Sequence, residues 1–161
     1  MIDLQRLRNA CETARRDLLA ERGAEGHWIG HLSSSALSSA TATSALAIVL
    51  KQSSAGQYPR EVLPPLIARG VQWLTGCQNA DGGWGDTDKS LSNIATTMLV
   101  RSALHLAGVA EQHAQILDRA QRYVDAQGGV TGLRKRYGKD KTFAAPILTN
   151  CALAGLAPWR A

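Results

Sequence analysis

Long uncharged apolar runs are missing from this 161-residue sequence, and their absence argues against membrane-spanning and secretory segments. The N-terminal stretch MIDLQRLRNACETARRD carries charges where a signal peptide needs an apolar run. The longest uncharged segment, residues 32–50, is rich in Ser and Thr and would make a poor membrane span. We therefore expect a cytoplasmic protein that is soluble or attached to a membrane surface.

Cysteine is scarce as well, and its spacing excludes the common metal sites. Cys11, Cys77 and Cys151 lie far apart and show no pattern such as Cys-x2-Cys. An odd number of separated cysteines predicts three buried free thiols in a reducing compartment. His27 and His31 also match no metal-ligand spacing. We expect neither a metal ion nor a cofactor.

Acidic residues are outnumbered, 13 against 18 Lys and Arg, which gives a formal net charge of +5. This mild excess permits contact with acidic lipid headgroups or diphosphates. The sequence contains no array of basic and aromatic residues that would predict nucleic-acid binding.

A chain with 45% hydrophobic and 19% charged residues is typical of a globular protein. Its length suits one domain over residues 1–161 with a real core.

No segment alternates apolar and polar residues as a strand does, so the sequence predicts an all-α fold. We expect six helices, of which the third starts after Pro59; their approximate ranges are 3–20, 35–52, 60–78, 93–107, 111–127 and 143–156. The first, third and fifth carry charges throughout, whereas the second and sixth have a long uncharged stretch and the fourth has only Arg101. Because a helix that is apolar on all sides is buried on all sides, this alternation predicts an outer and an inner ring.

A glycine-rich turn follows the third predicted helix. Gly82 and Gly83 can adopt positive φ at no steric cost, and Trp84 provides a large apolar anchor. The side chain of Gln78 can bond backbone groups at the helix end, where carbonyls lack partners. The pattern Gln78-x3-Gly82-x-Trp84 therefore predicts a clamp between two successive helices.

The clamp has counterparts elsewhere in the chain. Gly26 and Trp28 follow the first helix, with Arg22 where the glutamine would stand, so we expect this clamp to be the weaker one. The segment QGGV at 127–130 is a half-clamp that lacks the tryptophan. Three outer–inner helix pairs with a glycine turn inside each pair predict an α/α repeat, about half of a closed toroid.

The stretch GVQWLTGCQNADGGWGDT at 70–87 resembles the QW repeat of class II terpene cyclases, the squalene–hopene and oxidosqualene cyclases. The segments LLAERGAEGHWIGHLSSS, RAQRYVDAQGGV and ILTNCALAGLAPW resemble neighbouring parts of the family's N-terminal portion, in the same order. The resemblance implies an α/α toroid and a part in polyprene carbocation cyclisation in terpenoid or hopanoid biosynthesis. It also implies a squalene-like isoprenoid lipid and the remainder of a cyclase as partners.

The family's protonating motif, Asp-x-Asp-Asp, does not occur in this sequence. The nearest string runs from Asp86 to Lys89, with Lys89 in place of the third acid. Carboxylates that share a site can form a general acid, so Asp86 and Asp88 are the catalytic candidates. The competing interpretation makes both of them loop or cap residues ahead of the fourth helix. We expect the chain alone to be inactive.

Five cations are concentrated in the segment LRKRYGKDKTF: Arg134, Lys135, Arg136, Lys139 and Lys141. One interpretation is a solvated loop. The other is contact with a diphosphate or an anionic membrane surface, with Arg136, Lys139 and Lys141 as the contacting residues.

Two further functions stay open. A non-catalytic helical-repeat module could bind an isoprenoid or a partner protein through its open edge. A protein prenyltransferase β-subunit shares the toroid, but its zinc ligands have no recognisable counterpart in this sequence. Half a toroid also leaves apolar inner-helix surface uncovered, so we expect self-association or a partner.

Overall fold

The computed structural model describes residues 3–30, 32–52 and 60–159, and its regular structure is helical. Seven α-helices lie in these ranges: α1 (Leu4–Ala20), α2 (Ala36–Gln52), α3 (Leu63–Gly76), α4 (Ile94–Leu106), α5 (Ala114–Ala126), α6 (Gly129–Tyr137) and α7 (Ala144–Leu153). A 3-10 turn, Arg60–Val62, precedes α3. Within the described ranges the β structure amounts to an isolated bridge between Trp84 and Asn93. The all-α prediction is confirmed; His31 and Pro59 lie outside these ranges.

The chain divides into two compact units, one ending at Leu32 and the other beginning at Ser33. The first unit holds α1 and the first glycine–tryptophan turn. The Asp3 side chain caps α1 by accepting the backbone N–H groups of Gln5 and Arg6 at 2.9 and 3.2 Å, and α1 buries none of its residues. The second unit holds the other six helices. The single repeat domain over 1–161 stays a prediction.

Helix α4 is the centre of the second unit. It begins after Asn93, whose side chain accepts the backbone N–H of Thr96 at 3.0 Å. Eleven of its 13 residues are buried, and it contacts α2, α3, α5, α6 and α7. Because five other helices surround α4, it has no solvent-exposed face, and charged residues are not needed on any side of it. All-round burial is confirmed for α4.

Helices α2 and α7 bury one face each, so the expectation of all-round burial is wrong for them. The buried residues of α2 are Ala36, Ala40, Thr43, Ser44 and Ala47, and those of α7 are Ala144, Ile147 and Cys151. The exposed positions of α2 are mostly Ser, Thr and Ala. Exposing small side chains costs little, so the absence of charge does not require burial.

The second unit has the layered arrangement of an α/α toroid. The helices α2, α4 and α7 adjoin in that order, while α3 packs against α2 and α5 against α4. The buried stripe of α3 is Ile67, Val71 and Leu74, and that of α5 is Leu117, Ala120 and Val124. These spacings place each stripe on one helix face. An inner row of nearly uncharged helices is therefore backed by amphipathic ones, in agreement with the predicted fold class.

Helix α6 was missed by the sequence analysis. Its N-cap is Gly128, with φ of 86°, and its C-cap is Gly138, with φ of 58°. The predicted half-clamp at 127–130 is the start of this helix, and residues 134–137 of the predicted basic loop are its last turn. Gly132 permits the tight start, because a Cβ there would lie 1.7 Å from the carbonyl oxygen of Gln127. The glycines made this segment resemble a loop, but they are the residues that allow the first turn of the helix to form.

The three cysteines are free and differ in exposure. Cys151 is buried and Cys77 is half-buried, but Cys11 is exposed on α1. The expectation of three buried thiols is therefore wrong for Cys11, because α1 buries none of its residues. Burial raises the pKa of the Cys77 and Cys151 thiols. No described helix is long and apolar enough to cross a membrane.

Candidate functional site

The ring of Trp84 is fully buried and links α3 to α4. Its indole N–H donates to the carbonyl oxygen of Leu74 in α3 at 2.8 Å, and its side chain is 0% exposed. The backbone N–H of Trp84 donates to the hydroxyl of Thr97 in α4 at 3.0 Å. A single residue thus fixes the end of one helix against the first turns of the next.

Gln78 extends the same clamp to a third helix. Its side-chain amide donates to the carbonyl of Gly82 at 2.8 Å and to the carbonyl of Ile116 in α5 at 3.0 Å. The turn also lies against α5 directly, because a Cβ on Gly82 would lie 2.7 Å from the carbonyl oxygen of Arg119. The Arg119 guanidinium donates to the carbonyl of Asn79 at 3.0 Å. No signal in the short motif identifies α5 as a partner.

The first turn repeats this geometry 56 residues earlier. Arg22 donates through Nε to the carbonyl of Gly26 at 2.7 Å, as Gln78 does to Gly82. The Trp28 indole donates to the carbonyl of Leu18 at 2.6 Å, again ten residues earlier in the chain.

The backbone of the two turns matches too. Gly23 donates to the carbonyl of His27 at 2.9 Å, and Asn79 donates to that of Gly83 at 2.9 Å. The two turns are therefore one structural repeat. The guanidinium of Arg22 also lies 5.6 Å from the centre of the Trp28 ring, a cation–π distance.

Asp86 lies at the start of α4. Its Oδ1 accepts hydrogen bonds from the Asn93 side chain at 2.8 Å and from the Thr96 hydroxyl at 2.6 Å. Its backbone carbonyl accepts the Ser35 hydroxyl at 2.9 Å. These contacts make Asp86 an anchor for the start of α4 and for the start of α2. Its catalytic role stays a prediction.

Asp88 is exposed and joins the same turn through its backbone, whose N–H donates to the carbonyl of Ser34 at 3.0 Å. It lines a shallow surface depression together with Asn79 and Leu91. Neither aspartate lines the apolar cavity described next.

An apolar cavity of about 530 Å³ lies between α2, α3 and the corner from residue 106 to residue 113. Its wall includes Ala47, Ile67, Ala68, Val71 and Leu106, and no acidic residue of the described ranges lines it. Pockets of this size are in the range that holds small apolar ligands. In the described part of the chain, no group of three or more His, Cys, Asp and Glu side chains could hold a metal ion.

The repeated glycine–tryptophan clamps and the layered helices define a class, the α/α helical-repeat proteins with QW-type turns. The squalene-hopene cyclase N-terminal domain family matches residues 11–160, and the chain belongs to this family. The predicted resemblance is confirmed.

Two curated proteins are similar to this chain. The terpene cyclase-glycosyl transferase fusion protein fsoA of Humicola fuscoatra is 30% identical over 140 residues, which cover 85% of this chain and 9% of that protein. Enfumafungin synthase efuA of Hormonema carpetanum is 35% identical over 92 residues, which cover 56% of this chain and 6% of that protein. The chain spans less than a tenth of the length of these relatives. No solved structure matches.

Proposed function

We propose that this chain forms part of the helical wall of a class II terpene cyclase and does not supply the acid that starts cyclisation. The observation that carries this proposal is the clamp of Gln78 and Trp84, which joins α3, α4 and α5 within a chain of the cyclase family. The role is to hold helices around a substrate space. The remainder of the cyclase would be its partner.

The chemistry of cyclisation supports this division of labour. Protonating a polyprene and stabilising the cations that follow require a strong acid and aromatic faces in a dry cavity. In this chain Asp86 is engaged at the N-terminus of α4, and no acid among the described residues lines the 530 Å³ cavity. The substrate class that fits the family is a squalene-like polyprene.

The direct test is to incubate the purified 161-residue chain with squalene and with oxidosqualene and to analyse the products by gas chromatography and mass spectrometry. A complete squalene–hopene cyclase assayed in parallel verifies the conditions. We expect no cyclised product from the chain alone. Product formation that is lost in Asp86→Asn would contradict the proposal and return Asp86 to a catalytic role.

A second candidate is a non-catalytic module that binds an isoprenoid, and the 530 Å³ cavity favours it. Farnesol is a suitable soluble probe. If the module binds it there, Ala68→Trp, which fills the cavity from its wall, will weaken binding, whereas Ala10→Trp on α1 will not. Farnesol binding that Ala68→Trp leaves unchanged would contradict this candidate.

The prenyltransferase β-subunit alternative gains no support. The family match is to the cyclases. Sequencing the gene downstream of codon 161 separates the two remaining candidates. An open frame with Asp-x-Asp-Asp and further Gln-x3-Gly-x-Trp turns favours the cyclase, and a stop codon followed by unrelated sequence favours the module.

A further inference from the structure

The last turn of α6 and the loop after it form a surface that the clamps do not involve. We call this segment the basic patch; its cations are Arg134, Lys135, Arg136, Lys139 and Lys141. Arg134 and Lys141 line one pocket, and Lys135 and Arg136 line another beside Tyr123. All five are exposed, and none belongs to the three ion pairs found among the described residues. Asp140 is the acid within the patch, and its carboxylate accepts the N–H and hydroxyl of Thr142 at 2.9 and 2.5 Å. The patch therefore keeps a strong positive excess.

Two exposed aromatic side chains accompany the basic patch. Phe143 is 64% exposed and Trp159 is 69% exposed. The ring centres of Tyr137 and Phe143 are 6.1 Å apart, which places Phe143 beside the end of α6. Large apolar rings next to a cluster of cations are typical of surfaces that meet the headgroup layer of a membrane.

A pocket of about 290 Å³ joins the cations to one of these rings. Arg134, Lys141 and Trp159 line it, together with α7 side chains that include Leu148 and Thr149. None of the described residues that line this pocket is acidic. A positive rim over a mainly apolar floor suits a phosphate that carries an acyl chain, because the two parts of the ligand need the two parts of the pocket.

We propose that the basic patch, Phe143 and Trp159 dock this chain on an anionic phospholipid surface, with one lipid phosphate between Arg134 and Lys141. The lipid surface is preferred over an acidic protein or a nucleic acid for two reasons. Exposed Trp159 lines the pocket together with Arg134 and Lys141, and exposed Phe143 lies beside the end of α6. The pocket floor is also mainly apolar. This proposal does not depend on the cyclase proposal, because it concerns a different surface.

The first test is sedimentation of the chain with phosphatidylcholine vesicles that contain or lack phosphatidylserine. We expect binding to the anionic vesicles alone, at ~0.15 M salt and not at ~1 M salt, where charges are screened within about 3 Å. The double variant Lys139→Glu/Lys141→Glu removes two cations, so its partitioning should fall at least about 30-fold.

A matched control separates the patch from the overall charge. Lys51→Glu/Lys89→Glu changes the net charge by the same amount at exposed lysines outside the patch, and we expect less than a ~3-fold loss. Equal losses in the two double variants would overturn the proposal, as would equal binding to neutral vesicles.

The second test concerns the rings and the pocket. Phe143→Ala/Trp159→Ala should weaken vesicle binding, whereas Leu91→Ala, at a side chain 92% exposed elsewhere, should not. Far-UV circular dichroism and thermal melts verify that each variant is folded. An unchanged affinity in the double aromatic variant would overturn the proposal. Complete displacement from vesicles by inorganic phosphate would also overturn it, because it would identify a site for a free anion.

Discussion

At the scale of single residues, the two tryptophans at equivalent positions differ in burial and not in hydrogen bonding. Each indole donates to a carbonyl ten residues earlier, but Trp84 is 0% and Trp28 46% exposed. Arg22 keeps the hydrogen bond that Gln78 makes to its glycine. The first clamp is therefore expected to be the weaker because of solvent exposure, and not because arginine replaces glutamine.

Replacing Trp84 by alanine should lower the free energy of unfolding by about 3–5 kcal/mol, the range for a buried large side chain. Trp28→Ala should cost less, since nearly half of that ring already contacts water. Urea denaturation of the two variants measures the difference. A larger loss in Trp28→Ala would show that the first turn is the stronger clamp.

Gln78→Ala should lower the free energy of unfolding by about 1–2 kcal/mol, through loss of the hydrogen bonds to Gly82 and Ile116. The loss is limited because the buried Oε1 of Gln78 has no hydrogen-bond partner among the described residues. Gln72→Ala, at an exposed position of α3, serves as the control. Equal stability of both variants in urea titrations would show that the two hydrogen bonds of Gln78 contribute nothing to the free energy of unfolding.

His105 should make stability depend on pH. Burial, and then the nearby Arg101, lower the pKa of His105 below its usual 6.5. The unfolded chain thus binds more protons near that pH, so stability is lost as the pH falls below about 6.5. We expect the melting temperature of the wild type to fall more than that of His105→Gln between about pH 7.5 and about pH 5.5. Equal slopes for wild type and His105→Gln would contradict the prediction.

At the scale of elements, α6 is a helix that the amino-acid composition of its segment does not predict. The segment combines two glycines with a run of cations, which favours a loop on composition. Its start depends on Gly128 with positive φ and on Gly132, over which the Gln127 carbonyl passes closely. Its one buried residue, Leu133, is fully covered by the rest of the second unit. Tertiary packing therefore outweighs the local preference.

Gly132→Ala should disrupt the start of α6, because the new methyl would overlap the Gln127 carbonyl, a backbone atom. We expect a loss of about 1–3 kcal/mol in the free energy of unfolding and a lower helix content. Gly76→Ala is the control, since nothing lies within 4 Å of a Cβ there, and it should be neutral or slightly stabilising. Circular dichroism melts that rank the two variants in the reverse order would contradict the role of Gly132.

At the scale of the whole molecule, α2 leaves an uncharged face in solvent. Leu37, Thr41 and Ala45 lie on it, and residues 36–50 contain no charge. We expect the chain to self-associate as its concentration rises, because such a face gains by covering its apolar area. Sedimentation velocity should show the larger species, and Ala45→Lys should reduce it.

The control for this prediction is Ala10→Lys, which adds the same charge on α1, already rich in charged residues. Association that is equal in both variants would place the contact elsewhere on the chain. A monomer at every concentration would contradict the expectation that the uncovered helix face drives assembly.

The sequence alone determined the helical class, the clamp residues and the family, because periodicity and the chemistry of glycine and tryptophan turns are local. Only the tertiary structure decided which faces are buried, since this depends on neighbours that are distant in sequence. In the folded chain, other helices surround α4, whereas one side of α2 stays exposed. Gln78 contacts Ile116, which lies 38 residues further along the chain in α5. The tertiary structure also placed Asp86 beside α4, where its carboxylate accepts hydrogen bonds from the side chains of Asn93 and Thr96, which lie seven and ten residues further along the chain.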